Sequence, residues 1–177
     1  MKWLRLLSLL FLSLNACDAP TGPTSPPSTV LLSGNLIEAE VGEWFNFEVV
    51  LGRGIDSLTA TGPVEFSFPV NNVRCYEHGR ASMKAWFEDG GSGTYDIRCI
   101  ARITLAFGDE LNVDQHFGKD VVWVTESNGL ITQDKRNGDT FIKCVAAGNG
   151  TLWVAFTSPD TEYYKLSCKQ HEQGGGS

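Results

Sequence analysis

The sequence predicts an all-β chain, an antiparallel β-sandwich. Apolar and polar residues alternate at period two, glycine-rich turn signals separate the alternating runs, and no helical stretch stands out in the folded region. A repeated cysteine spacing further divides the strands into two tandem units. One larger sandwich in which the spacing is a coincidence is the alternative.

Taken in order, Phe45, Phe47, Val49 and Leu51 alternate with Asn46 and Glu48 and predict the first clear strand. Val64, Phe66, Phe68 and Val70 alternate with Glu65 and Ser67 and predict the next. Met83, Ala85 and Phe87 point one way, which turns Trp86 the other way. The longest run places Tyr95, Ile97, Cys99, Ala101, Ile103, Leu105 and Phe107 against Asp96, Arg98, Arg102 and Thr104, with Ile100 as the one apolar residue on the outer face. Leu152, Val154 and Phe156 form an inward row that leaves Trp153 outside, and Tyr164, Leu166 and Cys168 form the last row. Turn signals stand at Gly52-Arg53-Gly54, Asp89 to Gly93, Asn137-Gly138-Asp139, Asn149-Gly150 and Ser158-Pro159-Asp160.

The same interval separates Cys75 from Cys99 and Cys144 from Cys168. Val73-Arg74-Cys75 matches Ile142-Lys143-Cys144, Phe87 matches Phe156, and Tyr95 matches Tyr164, each at an equal distance from the first cysteine. Two units, 30–107 and 108–172, account for this. Four cysteines allow three connectivities, and the repeat favours pairing Cys75 with Cys99 and Cys144 with Cys168. The Tyr-x-x-x-Cys strand that ends each unit resembles immunoglobulin-type domains. That resemblance implies an Ig-like sandwich architecture and carries no functional residues with it.

Lys2 and Arg5 precede an apolar run from Leu6 to Leu14 that is too short for a bilayer core, which takes roughly 20 residues. Such a start reads as an export signal. Its end, Leu14-Asn15-Ala16-Cys17, resembles the bacterial lipobox. The resemblance implies removal of residues 1–16, lipidation of Cys17, and a place in the bacterial cell envelope, facing the periplasm or on the cell surface. Cys17 is the odd one of five cysteines, so the anchor and an even disulfide count support one another, and export puts the four where disulfides persist. Residues 17–29 are rich in Pro, Ser and Thr and read as an extended tether. Residues 173–177 read as a flexible tail.

The net charge is −7, which argues against a nucleic-acid partner, since that needs a basic footprint. His78, His116 and His171 stand in no metal-ligand spacing, and no nucleophile elbow, zinc-protease motif or phosphate loop is present. Adjacent Glu88 and Asp89 read as a solvated turn. Asp134, Asn137 and Asp139 could ligate calcium, but Asn137-Gly138 is first of all a hairpin turn. The expectation is a protein with no catalytic residues, no metal and no cofactor. The outward tryptophans Trp44, Trp86 and Trp153 are the candidate binding residues, since exposed tryptophan marks a binding face or a second buried surface. The expected function is a membrane-tethered lipoprotein that binds or assembles with another envelope or extracellular protein. A glycan-binding module using the tryptophans is the second expectation.

Overall fold

The structure, a computed structural model, describes residues 30–67, 69–158 and 161–170. The expected leader, the lipidation at Cys17, the tether, the tail and Phe68 lie outside the described residues.

Two units follow one another, built from equivalent elements in the same order after one extra edge strand. The first comprises β1 (Leu31–Ser33), β2 (Leu36–Glu40), β3 (Trp44–Asn46), α1 (Phe47–Leu51), β4 (Ile55–Thr61), β5 (Val64–Ser67), β6 (Asn72–Cys75), β7 (Gly79–Phe87) and β8 (Ser92–Ile100). The second comprises β9 (Arg102–Ala106), β10 (Glu110–Asn112), α2 (Val113–Phe117), β11 (Val121–Glu126), β12 (Ile131–Arg136), β13 (Asp139–Cys144), β14 (Gly148–Phe156) and β15 (Thr161–Lys169). In the first unit a sheet ordered β1-β2-β8-β7-β4 faces a small sheet β3-β6-β5, and in the second β11-β14-β15-β9 faces β10-β13-β12. The chain is thus an all-β protein of two Ig-like sandwiches. Their ladders are antiparallel except for one parallel pair in each, β2 with β8 and β9 with β15.

Each unit has its own core, because alternate side chains of both its sheets turn inward. Ile37, Phe45, Phe47, Val73 and Met83 fill the first, and Val113, Ile142, Leu152, Val154 and Leu166 fill the second. One disulfide crosses each core. Cys75 on β6 joins Cys99 on β8 and Cys144 on β13 joins Cys168 on β15, with Cα atoms 5.5 and 5.8 Å apart.

Three sequence expectations are corrected. The run from Phe45 to Leu51 is not one strand, because α1 replaces it from Phe47 onward. The Asn46 side chain accepts the Val49 N–H, and Gly52 closes the turn in a left-handed conformation that costs glycine least. Phe47 and Leu51, a helical turn apart, then face the core, while Val49 is 79% exposed. The same device recurs in α2, with Asn112 and Gly118 as its caps. Secondly, the long strand from Tyr95 to Phe107 breaks at Ala101. Its first half pairs with β2 and β7, its second half with β15. The unit boundary therefore lies at Ala101, not between 107 and 108. Ile100, the apolar residue on the outer face, is 2% exposed at this boundary and belongs to neither core. Thirdly, Phe66 and Val70 do not share the burial of Val64. They stand exposed at an edge strand and in the turn after it.

A carboxylate just inside each short helix ties the helix to strands beyond it. Glu48 accepts the Ile55 N–H at 2.8 Å and the Asn71 amide at 3.1 Å. Asp114 accepts the Val121 and Thr140 N–H groups, both at 2.6 Å. Burial pushes the Asp114 carboxyl up, but the Thr140 and Val121 amide protons outweigh it and hold the group below its ordinary value. A carboxyl that is a stronger acid in the fold contributes stability that is complete above the unfolded value of 3.8 and is lost as the pH falls through the folded one. Asp114→Asn should therefore be less stable than the native chain at neutral pH, with the gap closing under acid, as urea titrations across pH would show. A gap independent of pH would contradict this. Replacing either cystine by two alanines should cost roughly 3 kcal/mol in the same titration, from the entropy of the opened loop.

Candidate functional site

The three tryptophans read from the sequence do not form one surface. Trp44 is 44% exposed on the outer face of the small sheet of the first unit. The Arg74 guanidinium lies 4.9 Å from its ring and is ion-paired to Glu65. Trp86 is half-buried on the outward side of β7, with the Lys84 ammonium 4.7 Å from its ring. Trp153 is half-buried on β14 in the other unit. Trp86 and Trp153 therefore occupy separate sheets.

Trp153 does have aromatic company. It stands directly opposite Tyr163 on β15, and β11 places Trp123 opposite Ala155, diagonally from Trp153. Val124, Leu152 and Tyr164 turn into the core, so Trp123, Trp153 and Tyr163 share the outer face. Trp123 is 43% exposed. The sequence hid it inside the apolar run Val121-Val122-Trp123-Val124, whose alternation is broken by a register shift between Val121 and Trp123.

Tyr163 leads from this face to the seam between the units. Its hydroxyl donates to Glu38 and accepts from Arg98 at 2.7 Å, and Arg98 in turn bonds Glu38 at 3.0 Å. The Arg98 guanidinium lies 4.9 Å from the Tyr163 ring. Burial first, then Glu38, pushes the Tyr163 hydroxyl up, and the bond to Tyr163 strengthens the hold of Arg98 on its proton. A second strand residue, Glu40, binds Arg102 across the same seam.

On the other side of the seam His78 stacks on Tyr164, with ring centroids 4.4 Å apart. Its Nδ1 accepts the Ala101 N–H at 3.2 Å, so the ring proton sits on Nε2, 3.3 Å from Glu162. Glu162 also accepts from Lys119 at 3.1 Å and from the Tyr164 hydroxyl. Burial pushes Glu162 up, yet the bonds from Tyr164 and Lys119 prevail and hold it below its ordinary value. Tyr164 is pushed far up by burial and by Glu162.

Between these groups a cleft of about 510 Å³ opens, lined by His78, Arg80, Arg98, Lys119, Glu162 and Tyr163 among others. No run in the sequence marks it, since its members come from three strands, the bend before β7 and the loop after α2, in two units. The Asp134 to Asp139 segment forms the two-residue hairpin expected of Asn137-Gly138. Asn137 and Gly138 both have positive φ, Asp134 pairs with Arg136, and Asp139 bonds Asn112. Asp89, read as a turn residue, is ion-paired to Arg53. Among the described residues no group of three or more His, Cys, Asp and Glu side chains is placed to hold a metal ion.

Comparison with protein families and with curated proteins gives no match. Among solved structures the chain is similar to a tri-modular GH5 endo-β-1,4-glucanase of Bacillus licheniformis complexed with cellotetraose, at 10% identity over 79% of this chain and 38% of that one, TM-score 0.25. It is similar to SGBP-B of the Bacteroides ovatus mixed-linkage glucan utilization locus in complex with a heptasaccharide, at 8% identity over 82% of this chain and 46% of that one, TM-score 0.25. It is also similar to the fibronectin(III)-like modules of Clostridium thermocellum CbhA, at 9% identity over 79% of this chain and 93% of those modules, TM-score 0.26. The chain spans less than half the length of the first two, and all three likenesses are of fold alone.

Burial is the largest influence on His78 and lowers its pKa below 6.5, with Glu162 opposing it. Neutral His78 thus contributes stability that is complete above 6.5 and is lost as the pH falls through the folded value. Its ring should titrate with a midpoint below 6.5 when followed by NMR. A midpoint at or above that value would show the ring to be solvated or charged.

Proposed function

We propose that this chain is a non-catalytic binding module, tethered to a bacterial envelope through lipidated Cys17, that takes an envelope or extracellular ligand at the seam between its units. One observation carries the reading. The outward aromatic row of Trp123, Trp153 and Tyr163 runs into a cleft to which both units contribute, so ligand and fold meet at a preformed, two-sided surface.

The tether is supported by the leader, by the lipobox-like Leu14-Asn15-Ala16-Cys17, and by the pairing of the four other cysteines among themselves. Binding is favoured over chemistry by the state of the cleft's ionisable groups. His78 is neutral with one nitrogen occupied by a backbone N–H, Glu162 is held ionised by its donors, and the hydroxyls of Tyr163 and Tyr164 are held protonated.

The test has two readouts on the full chain expressed with its leader in a bacterium. Intact mass should give a species that begins at Cys17 and carries acyl chains. Hydrogen exchange in detergent, with and without a polysaccharide and protein extract of the envelope, should show slowed exchange at residues 78–80, 98–101 and 161–163. An unacylated mass overturns the tether, and protection absent from the seam overturns the binding surface.

A further inference from the structure

We infer that the seam cleft binds an acidic saccharide, one carboxylate on Arg80 and Arg98 with the sugar rings laid along Tyr163 and Trp153. This rests on the binding-module reading and names the ligand class of the same site.

The starting point is a pair of like charges. Arg80 on β7 stands directly opposite Arg98 on β8. Like charges in that position destabilise a sheet, so the pair calls for a reason. The second unit supplies the control, because the equivalent positions there are Asn149 and Ser167, also directly opposite and both neutral. The scaffold therefore does not need arginine at either place. It carries the pair only where β7 and β8 border the cleft.

The charges in the cleft do not cancel. Glu38 pairs with Arg98, and Glu162 pairs with Lys119 and faces neutral His78. Arg80 is exposed and has no hydrogen-bond or ion-pair partner among the described residues. One positive charge is thus left over in a chain whose net charge is −7. That balance suits a ligand with a single, localised negative charge and disfavours a polyanion, which the rest of the surface repels. A guanidinium presents paired N–H donors that fit the two oxygens of a carboxylate. Beside it, Tyr163 and Trp153 stand opposite one another. Flat aromatic rings of this kind suit the faces of sugar rings, and aromatic and charged groups side by side suit a sugar acid better than an acidic side chain on an extended peptide.

The experiment is isothermal titration of the full chain in non-ionic detergent with three probes: xylotriose bearing one glucuronic acid, plain xylotriose, and a pentapeptide with one glutamate. The acidic saccharide should bind roughly tenfold or more tightly than the neutral one, as one charge-assisted pair supplies. Arg80→Gln should reduce it to the neutral level without changing plain xylotriose, and Trp153→Ala should weaken both saccharides. Ligand-free Arg80→Gln should melt at or above the native temperature, which separates loss of the ligand contact from loss of the fold. Equal binding of the two saccharides, or an acidic saccharide indifferent to Arg80→Gln, overturns the anion site. Binding of the peptide alone in an Arg80-dependent manner overturns the saccharide. Silence of all three probes overturns this inference, while protection of the seam by the envelope extract would still uphold the binding module.

Discussion

A single residue separates the two units, and most of the structure beyond the two cores follows from that. The last strand of the first unit ends at Ile100 and the first strand of the second begins at Arg102. A longer linker would let two sandwiches move apart. Here Ala101 gives its N–H to His78 of the first unit and its carbonyl to Lys165 of the second. The outward side chains of β2 and β8 are thereby brought against those of β9 and β15. The contacts of Glu38 and Glu40 are polar because they join outer faces of sheets, and that of Glu162 reaches the bend before β7. Glu38 meets Tyr163, Glu40 meets Arg102, and Glu162 meets His78. The cleft lies beside this junction, lined from the first unit by His78, Arg80 and Arg98 and from the second by Lys119, Glu162 and Tyr163.

The two units share one frame and differ at the seam. The frame is kept by residues whose physical job is the same in each copy. The helix caps Asn46 and Asn112, the carboxylates Glu48 and Asp114, and the cross-core cystines are examples. At the seam the copies differ. Where the second unit has Glu162 and Tyr163 the first has Gly93 and Thr94. A side chain at Gly93 would run into the Tyr95 ring, whose atoms lie 2.9 Å from where a Cβ would stand. In the second unit the equivalent Tyr164 is instead stacked on His78 and bonded to Glu162. One tyrosine position thus packs on the core in both copies, and in the second it also reaches the seam through His78 and Glu162.

What the sequence made legible was local or repeated. Period-two alternation found β7, β14 and β15, because a strand with one buried face must show it residue by residue. Equal cysteine intervals found both disulfides, because the two copies fold alike. The short helices were hidden, since five residues are too few to display a helical period and Phe45, Phe47, Val49 and Leu51 alternate as a strand would. The boundary at Ala101 was hidden because alternation runs straight through it, and only the change of pairing partner marks it. Of the tryptophans, Trp153 was named from the sequence and shares its outer face with Trp123, which a bulge concealed. Arg80, Arg98, Lys119 and His78 could not be assembled from sequence at all. Each is an ordinary surface residue until pairing across strands and units sets them around one cleft.

The arginine pair shows how such a site can persist in a small, marginally stable fold. Arg98 alone would be well accommodated, with Glu38 and the Tyr163 hydroxyl both bound to it. Arg80 adds repulsion and gains no partner, so the unliganded protein is less stable with it than the neutral pair of the other unit would make it. The penalty is tolerable because each unit holds its own core and its own cystine, which fix β7 and β8 whether or not the cleft is filled. The seam bonds of Glu38, Glu40 and Glu162 engage other partners, so they neither neutralise Arg80 nor depend on it. The sheet fixes the backbone at Arg80, while its exposed, unpartnered side chain must still be ordered when a ligand arrives, a cost that a charge-assisted bond has to exceed.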